Sequence, residues 1–372
     1  MLRVDIGVIT KDFNVLCLNN NFYGSYESSQ VFYRELILAF KNIGVNVLEA
    51  NDWQSAEKIC NNFTIDFSVS FGKYCYQQED FFYNRYNIPN YQWISDNPLK
   101  MNLDTSSSLV TYIFIDEEYT KMIPQVGSFL ILPLGFPEKK FLNFSKRTNK
   151  ILIPCKIRNL NKLWQTISDS SQGSLIKEFL FDYSLDDSYI TRLTKFFKQK
   201  NIVDAEDKIL IFRLSNEFLR IQKRLSVINS LSDYKVYIAG EDYRNTLKYP
   251  DKVIYLKPIK YQNLFEAMQN FKIVVNVDPN YHACIHDRFV RAVGSGCICL
   301  TNQNFVMERW NDNVYTFDGK KNVNDLVCKV MENDEEIFLN QSECIKNFSW
   351  ESSAKKIIEH YLNGTRINCY AI

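Results

Sequence analysis

The sequence predicts an α/β protein with two Rossmann-like domains, each built around an open parallel sheet. Three observations point to this fold class. The chain has 372 residues, which is long for a single hydrophobic core and fits two domains. Short apolar runs of strand length alternate with amphipathic helical stretches, as in parallel strands joined by crossover helices. The alternation starts again near residue 150, so we expect two domains that face each other across a ligand-binding cleft.

The first half contains six predicted strands, each an apolar run bounded by polar or turn-forming residues. They are Val4–Ile9, Asn46–Ala50, Ile65–Phe71, Asn90–Ile94, Leu109–Ile115 and Ser128–Leu132. Between the first two strands, residues 27–42 carry apolar side chains at helical spacing, and Gly44 follows as a stop signal. The segment PLGFPEKKF has the Pro and Gly expected where a chain leaves a domain.

The second half repeats the pattern, with one interruption. We predict strands at Lys150–Cys155 and Lys208–Phe212, and the polar, helical residues 157–207 between them form an inserted helical excursion. The elements that follow alternate regularly: helix Gln222–Leu231, strands Lys235–Ala239 and Val253–Leu256, helix Tyr261–Gln269, strand Ile273–Val277, helix His286–Gly294, strand Cys297–Thr301 and helix Trp350–Leu362.

These elements predict three segments. Residues 1–145 form an N-terminal, acceptor-side domain, and residues 146–345 form a C-terminal domain that includes the excursion. Residues 346–372 form a last helix and tail, which we expect to cross back to the N-terminal domain.

Composition restricts the kind of ligand. With 44 basic and 43 acidic residues the net charge is +1, which argues against a nucleic-acid binder that works through bulk charge. The start has no long apolar segment typical of a signal peptide, and no run reaches the ~18 apolar residues of a membrane span. The ten cysteines include no C-x-x-C pair, and we interpret them as reduced thiols of a cytoplasmic protein. The expected ligand is therefore a small anion held by a local group of residues.

The most informative stretch is residues 272–301, KIVVNVDPNYHACIHDRFVRAVGSGCICLT. A buried strand and a loop lead to His286, Asp287 and Arg288 at the start of a helix, which ends in a Gly-Ser-Gly turn before another strand. A helix start offers unpaired N–H groups and the positive end of the helix dipole. Arg288 adds a guanidinium that can grip phosphate oxygens bidentately, and Asp287 can hold Arg288 or His286 in place. Together these residues predict a diphosphate site at a strand end.

A second element lies upstream of this stretch. Three basic residues stand at helical spacing near the start of a predicted helix: Arg220, Lys223 and Arg224. The strand KVYIAG then brings Gly240 and Glu241 to its carboxyl end, where a carboxylate can accept hydrogen bonds from ribose hydroxyls. The aromatic-flanked loop YLKPIKYQNL, which contains Tyr261, is suited to pack against a nucleotide base.

The residues carry a family resemblance. The runs YLKPIKYQNLFEAMQNFKIVVNV and HDRFVRAVGSGCICLTN resemble the C-terminal domain of bacterial GT-B glycosyltransferases, and above all the group similar to the spore-maturation CgeB proteins. That group has a His-(Glu/Asp)-Arg motif, an A-x-x-x-G turn and a strand that ends in Thr and a polar residue. In the first half, QWISDNPL resembles the group's D-x-P turn. The resemblance covers most of the chain, is specific over about residues 220–310 and leaves residues 157–207 unmatched.

The resemblance implies a donor site in the second domain and an acceptor site formed largely by the first. His286, Asp287 and Arg288 would surround the donor diphosphate and sugar, with His286 counted among the catalytic residues. Glu241 would lie near the ribose, and the next strand end would contact the diphosphate or sugar through Thr301 and Asn302. The glutamate that many retaining members carry just before A-x-x-x-G is replaced by Arg291, so retention and inversion both stay open.

We expect the reaction to need neither a metal ion nor a cofactor. The leaving nucleotide needs positive charge, which metal-using folds supply through an Asp-x-Asp turn. No such turn follows a predicted strand here, and Arg288 with its helix terminus can take that role. If the enzyme inverts, a base must deprotonate the acceptor hydroxyl, and Asp96, in the turn after residues 91–95, is our candidate.

The predicted function is transfer of a hexose-type sugar from a nucleotide-diphosphate donor, such as a UDP-sugar, to a cell-surface glycan, lipid or protein. The sequence leaves a peripheral association with a membrane open. Two alternatives also stay open, a sugar-nucleotide epimerase of the same shape and a non-catalytic sugar- or nucleotide-binding protein. Simpler interpretations also exist for single residues. Asp287 and Arg288 can form a plain salt bridge at a helix start, and Lys223 and Arg224 can belong to a solvated helix face. Asp96 is also typical of a turn before proline.

Overall fold

The computed structural model describes residues 13–18, 28–71, 76–77, 80–95, 98–101, 103–123, 127–137, 144–183, 188–240, 246–277, 283–308, 315–317, 323–332 and 334–363. These residues divide into two compact units. One comprises the described parts of 1–115, 124–138 and 348–372, and the other comprises 116–123 and the described parts of 139–347. Each unit contains a six-stranded parallel sheet with helices around it.

The sheet of the first unit has the strand order β2-β1-β3-β6-β7-β8, and every pair in it is parallel. Its strands are β1 (Asn14–Leu18), β2 (Asn46–Ala50), β3 (Phe67–Phe71), β6 (Asn90–Ile94), β7 (Val110–Phe114) and β8 (Phe129–Ile131). All residues of the three central strands β3, β6 and β7 are buried, as expected for a parallel sheet that is covered on both faces. Two short strands, β4 (Tyr76–Gln77) and β5 (Asp80–Phe81), form a separate antiparallel pair.

In the described residues, the first unit has the helices α1 (Ser28–Asn42), α2 (Trp53–Asn62), α3 (Phe82–Tyr86) and α14 (Trp350–Asn363). The chain leaves α1 through Gly44, whose φ of +86° lies in the region that glycine adopts without steric strain. At the other end of the sequence, Trp350 begins α14 and is fully buried beside Trp93 of β6. The last helix is thus part of the core of this unit.

The sheet of the second unit has the order β11-β10-β9-β12-β13-β14, again parallel throughout. Its strands are β9 (Thr148–Ile153), β10 (Val236–Ala239), β11 (Val253–Leu256), β12 (Phe271–Asn276), β13 (Ile298–Asn302) and β14 (Thr316–Phe317). The helices of this unit are α4 (Tyr119–Met122), α5 (Leu160–Ser168), α6 (Gly173–Asp182), α7 (Tyr189–Gln199), α8 (Ala205–Ser230), α9 (Tyr261–Met268), α10 (Asp287–Gly294), α11 (Phe305–Glu308), α12 (Val323–Glu332) and α13 (Asp334–Cys344).

One strand prediction is wrong. Residues 208–212 lie inside α8, a 26-residue helix that also contains the predicted helix 222–231. Asp204 caps it by accepting the backbone N–H of Asp207 at 2.9 Å, and acidic residues occupy its first turn, where they favour the helix dipole. The apolar run KILIF was mistaken for a strand because a run of five residues does not distinguish a buried strand from a helix face.

The predicted strand Val4–Ile9 lies outside the described residues, and the strand observed nearest to it is β1 at residues 14–18. The predicted excursion is helical in the described residues, where α5, α6, α7 and the start of α8 occupy it. Within this segment Tyr189 is fully buried and packs on Phe179 and Phe212, and its hydroxyl donates to the Phe212 carbonyl at 3.1 Å. No helix in the described part of the chain is both long enough and apolar enough to cross a membrane.

Candidate functional site

The candidate site lies at the carboxyl ends of the central strands of the second sheet. All six strands are parallel, so their following loops meet at one edge, where open α/β sheets bind ligands. The strand ends are brought close together at Gly240, just after β10. A Cβ atom there would come within 2.6 Å of the Cys155 carbonyl oxygen after β9, so only glycine fits without a backbone shift.

Helix α10 begins at this edge, and His286 is its N-cap residue with φ −68° and ψ 141°. The His286 Nδ1 atom is 2.8 Å from Asp287 Oδ1 and 3.1 Å from the Arg288 backbone nitrogen. The Nε2 atom is 3.3 Å from Arg288 Nη2. Arg288 therefore contacts the His286 ring twice, through its backbone N–H, which Nδ1 accepts, and through its guanidinium at Nε2.

Asp287 orients its neighbours as an anion. Burial raises the pKa of this carboxyl, but the charges of His286 and Arg288 and the hydroxyl of Tyr261 outweigh it, and the net pKa is below its usual value. Tyr261, the first residue of α9, donates its hydroxyl to Asp287 Oδ2. The carboxylate therefore ties the start of α9 to the start of α10.

The two arginines of α10 differ in their surroundings. Arg288 is 7% exposed and donates from Nη1 to the Pro154 carbonyl, just after β9, at 3.0 Å. Arg291 is 1% exposed, and its guanidinium lies 4.8 Å from the centre of the Tyr261 ring. Arg291 is thus a buried cation stacked on an aromatic ring, and its guanidinium covers one face of Tyr261.

Helix α8 adds further positive charge at the same strand end. Arg224 is buried and donates from Nη1 to the Lys156 carbonyl at 2.9 Å. Burial raises the pKa of the Cys155 thiol, while the charges of Arg224, Arg288 and Arg220 lower it. Three guanidiniums from two helices therefore act on the segment that follows β9. We call Arg220, Arg224 and Arg288 the arginine cluster.

The end of β13 supplies a polar pair. Thr301 and Asn302 are both buried, and the Thr301 hydroxyl accepts a hydrogen bond from Asn276 Nδ2 at the end of β12, at 3.0 Å. This contact ties two neighbouring strand ends together. Lys223, next to Arg224 on α8, is half-buried.

The structure thus brings most of the predicted donor residues of the second domain to one sheet edge. Two predicted residues, Asp96 and Glu241, lie outside the described residues. Among the described residues, no group of three or more His, Cys, Asp and Glu side chains is close enough to bind a metal ion together.

Sequence reasoning missed two features of this edge. The carbonyls of Pro154 and Lys156 position the arginines, but a backbone acceptor leaves no mark in the residue types. Asp116 was also missed, although a carboxylate right after the predicted strand Leu109–Ile115 was a usable signal. It is fully buried and accepts the backbone N–H groups of Glu118 at 2.8 Å and Ala283 at 3.4 Å. Burial raises its pKa to about 7.

A family model described as "Glycosyl transferase-like" matches residues 219–359. This range begins one residue before Arg220 on α8 and ends within α14, so it contains the arginine cluster and the start of α10. No curated protein matches the sequence.

Solved structures match nearly the whole chain at low identity. AviGT4, a glycosyltransferase involved in avilamycin A biosynthesis, has a TM-score of 0.54 and 8% identity, covering 94% of this chain and 97% of its own. Sucrose-phosphate synthase from Thermosynechococcus elongatus has a TM-score of 0.52 and 8% identity, with coverages of 94% and 98%. T4 phage β-glucosyltransferase, in complex with its UDP-glucose substrate, has a TM-score of 0.55 and 12% identity, with coverages of 94% and 100%. At such identities the likeness shows the shared fold.

Proposed function

We propose that this chain, which has the GT-B fold, is a glycosyltransferase whose arginine cluster binds the diphosphate of a UDP-linked hexose; the glycosyl transferase-like model that matches residues 219–359 supports this. In this proposal the enzyme uses a nucleotide-sugar donor, as the family model and the glycosyltransferases of the same fold suggest. UDP is our choice of nucleotide because T4 phage β-glucosyltransferase, which shares the fold, has UDP-glucose as its substrate. The acceptor we propose is a glycan, lipid or protein in the synthesis of cell-surface glycans, and the compartment is the cytoplasm.

One observation carries this proposal, namely the meeting of three guanidiniums and a helix start at one strand end. Two of the guanidiniums are held by backbone carbonyls, with Arg288 on Pro154 and Arg224 on Lys156. Cations oriented before the ligand arrives need little rearrangement when negative charge develops. Arginine is suited to this role because its planar group pairs bidentately with phosphate oxygens and stays charged.

The chemistry follows from this charge. When the bond between the sugar and the nucleotide breaks, negative charge grows on the leaving diphosphate, and the arginine cluster together with the N–H groups at the start of α10 would stabilise it. His286, held beside Asp287 at 2.8 Å, would lie with Arg288 next to the reacting diphosphate. In this proposal no metal ion is needed for the leaving group.

The remaining residues are assigned to other parts of the substrates. Glu241 is proposed for the ribose hydroxyls, and Lys223 is proposed to assist at the diphosphate. Thr301 and Asn302 are proposed to line the sugar or diphosphate at the end of β13. Asp96 is proposed as the base that takes the proton of the acceptor hydroxyl if the reaction inverts.

The test is a binding screen followed by a transfer assay. Thermal shift and calorimetry with UDP-, GDP-, TDP- and CMP-sugars should identify one nucleotide that stabilises the protein by mass action. Arg288→Ala and Arg224→Ala should each weaken its binding by about tenfold or more, since a hydrogen bond to a charged group contributes about 1.5–3 kcal/mol. Arg213→Ala is the matched control, because Arg213 lies exposed on the same helix α8.

Four results would count against all or part of the proposal. Nucleotide binding that survives both cluster substitutions would remove the assigned site. Binding without release of free nucleotide, with or without acceptor, would favour a non-catalytic binding protein, and conversion of the donor to another nucleotide sugar would indicate an epimerase. Activity that disappears in EDTA and returns with Mn²⁺ would overturn only the claim that the reaction needs no metal ion.

A further inference from the structure

Residues 116–123 form an unusual part of the second unit. In the sequence they stand between β7 and β8, two strands of the first sheet, yet they belong to the second unit together with residues 139–347. They comprise Asp116, a short turn and the helix α4. We call residues 116–123 the brace.

The brace is attached to helix α7 by a buried carboxylate. Glu118 is 6% exposed, and its Oε1 atom accepts hydrogen bonds from Lys121 Nζ at 3.1 Å and Thr191 Oγ1 at 2.9 Å. Its Oε2 atom accepts the hydroxyl of Ser188, the N-cap residue of α7. Lys121 Nζ also donates to Thr191 Oγ1 at 2.9 Å. A buried carboxylate needs such partners, so these contacts fix α4 on the start of α7.

The other end of the brace contacts the turn that leads into α10. Asp116 Oδ1 accepts the backbone N–H of Glu118 at 2.8 Å, and Oδ2 accepts that of Ala283 at 3.4 Å. The side chain of Cys284 also contacts this carboxylate. Ala283 is three residues before His286, so Asp116 acts on the backbone immediately ahead of the predicted diphosphate site.

The same turn is held from a second direction. Asn304 Nδ2 donates to the Cys284 carbonyl at 2.9 Å, and Asn304 Oδ1 accepts the backbone N–H groups of Val306 at 3.1 Å and Met307 at 2.9 Å, at the start of α11. Two consecutive residues of the turn are thus held, Ala283 by Asp116 through its N–H and Cys284 by Asn304 through its carbonyl. A backbone held at two neighbouring points leaves the following cap residue little freedom.

We propose that the brace positions the turn that opens α10 so that His286 and Arg288 are ready for the donor diphosphate, with Asp116 as the positioning residue. This inference rests on the proposed function and assigns a role to the helical excursion, since α7 of the excursion holds the brace through Ser188 and Thr191. Asp116 has no exposed surface, so it acts through the turn and not by touching substrate. A fully buried carboxylate is costly unless it is hydrogen-bonded, and here its backbone partners include the turn itself.

The first measurement is hydrogen exchange of the full-length protein without nucleotide. In Asp116→Ala, the amides of residues 283–288 should exchange about tenfold faster or more, because a held turn opens more often when its acceptor is removed. Asp116→Asn keeps one of the two acceptor oxygens and should restore part of the protection. Asp104→Ala is the matched control, since Asp104 is also a buried aspartate that accepts backbone N–H groups, those of Ser106 and Ser107 at 3.1 Å each.

The second measurement is the affinity for UDP by calorimetry at one pH. Asp116→Ala should raise the Kd about tenfold, Asp116→Asn by much less, and Asp104→Ala not at all, because a turn that must be ordered on binding weakens the observed affinity. If Asp116→Ala does not fold, Thr191→Val loosens the brace at its other end. That variant should show smaller changes of the same sign at residues 283–288.

The outcomes separate the two proposals. Unchanged exchange at residues 283–288 in a folded Asp116→Ala variant overturns the brace, and so does faster exchange with an unchanged Kd for UDP. A wild-type protein that binds no nucleotide overturns the proposed function itself, and the brace then has no diphosphate to prepare for. Faster exchange and a raised Kd in Asp116→Ala, both smaller in Asp116→Asn, support the brace.

Discussion

Gly240 lies at a point of the site where the backbone of β10 approaches the segment after β9. A side chain at this position would place its Cβ atom 2.6 Å from the Cys155 carbonyl oxygen, closer than van der Waals contact allows. Relief requires a backbone shift, and Pro154 and Lys156, the residues that hold Arg288 and Arg224, flank Cys155. The glycine therefore bears on the geometry of the arginine cluster as well as on stability.

Substitution of this glycine should show both effects. We expect Gly240→Ala to lower the free energy of unfolding by about 1–3 kcal/mol, the usual range for overpacking, and to weaken UDP binding. Gly127→Ala is the control, since no atom lies within 4 Å of a Cβ added there. Urea unfolding and calorimetry check the pair, and a Gly240→Ala variant that matches Gly127→Ala in both would contradict the crowding argument.

Asp116 should make stability depend on pH. Its pKa is raised from 3.8 to about 7 because burial disfavours the charged form, and the nearby charge of Glu118 adds to this, while the N–H groups of Glu118 and Ala283 and the Cys284 side chain act in the opposite direction. Between these two values the folded protein holds a proton that the unfolded chain has lost. Its contribution to stability therefore falls as pH rises from about 4 to 7 and is constant above that range.

The asparagine variant removes this titration. Between pH 5 and pH 8, wild type should lose about 2–3 kcal/mol more of its free energy of unfolding than Asp116→Asn, since each pKa unit corresponds to about 1.36 kcal/mol. Urea unfolding of both proteins at the two pH values measures the difference. Parallel pH profiles for the two proteins would show that Asp116 ionises normally in the folded state.

At the scale of elements, α8 is the helix on which the site depends most. It carries Arg220 and Arg224 and runs for 26 residues. Its first turn is set by Asp204, whose carboxylate accepts the backbone N–H of Asp207 at 2.9 Å. Such a cap satisfies a backbone donor that the helix itself leaves unpaired.

Removing the cap tests the helical assignment of residues 205–212. Asp204→Ala should lower the free energy of unfolding by about 1 kcal/mol, whereas Asp204→Ser, which retains a capping oxygen, should lose much less. If residues 208–212 formed a strand instead, the two substitutions would have equal effects. Nucleotide affinity should stay near the wild-type value, because Arg220 and Arg224 lie several turns further along the helix.

At the scale of the whole molecule, the chain divides into two units that each complete their own core. The first unit needs the end of the chain, since Trp350 packs on Phe32 and Trp93 and donates its indole N–H to Glu35 at 2.8 Å. Gly135 allows this packing, because a Cβ there would come within 2.8 Å of the Trp350 ring. The described residues of the proposed nucleotide site all belong to the second unit.

Because the two units have separate cores, we expect a substitution in the first unit to change stability without changing nucleotide affinity. Trp350→Ala should lower the stability of the first unit by about 3–5 kcal/mol, the usual range for a buried tryptophan, and should bring forward one transition in a calorimetric scan. UDP affinity, measured well below that transition, should stay within about twofold of wild type. A single transition that shifts as a whole, together with lost UDP binding, would show that the two units do not behave separately.

Much of the architecture could be predicted from local pattern. The strands predicted at 46–50, 90–94 and 253–256 coincide with β2, β6 and β11, because their apolar runs end at clear polar or turn signals. The predicted helix at residues 286–294 is α10 with its cap residue. The strand predicted at residues 208–212 was wrong because a short apolar run fits both the strand and the helix periodicity.

Local patterns of residues were enough to predict the two parallel sheets and the start of α10 at His286, Asp287 and Arg288, because strand alternation, helix periodicity and cap chemistry are properties of neighbouring residues. The contacts of Arg224 with the Lys156 carbonyl, of Arg288 with the Pro154 carbonyl and of Asp116 with Ala283 became visible only in the folded chain. These partners are 68, 134 and 167 residues apart. Such contacts depend on how the sheet gathers its strand ends, and no local pattern of residue types records that arrangement.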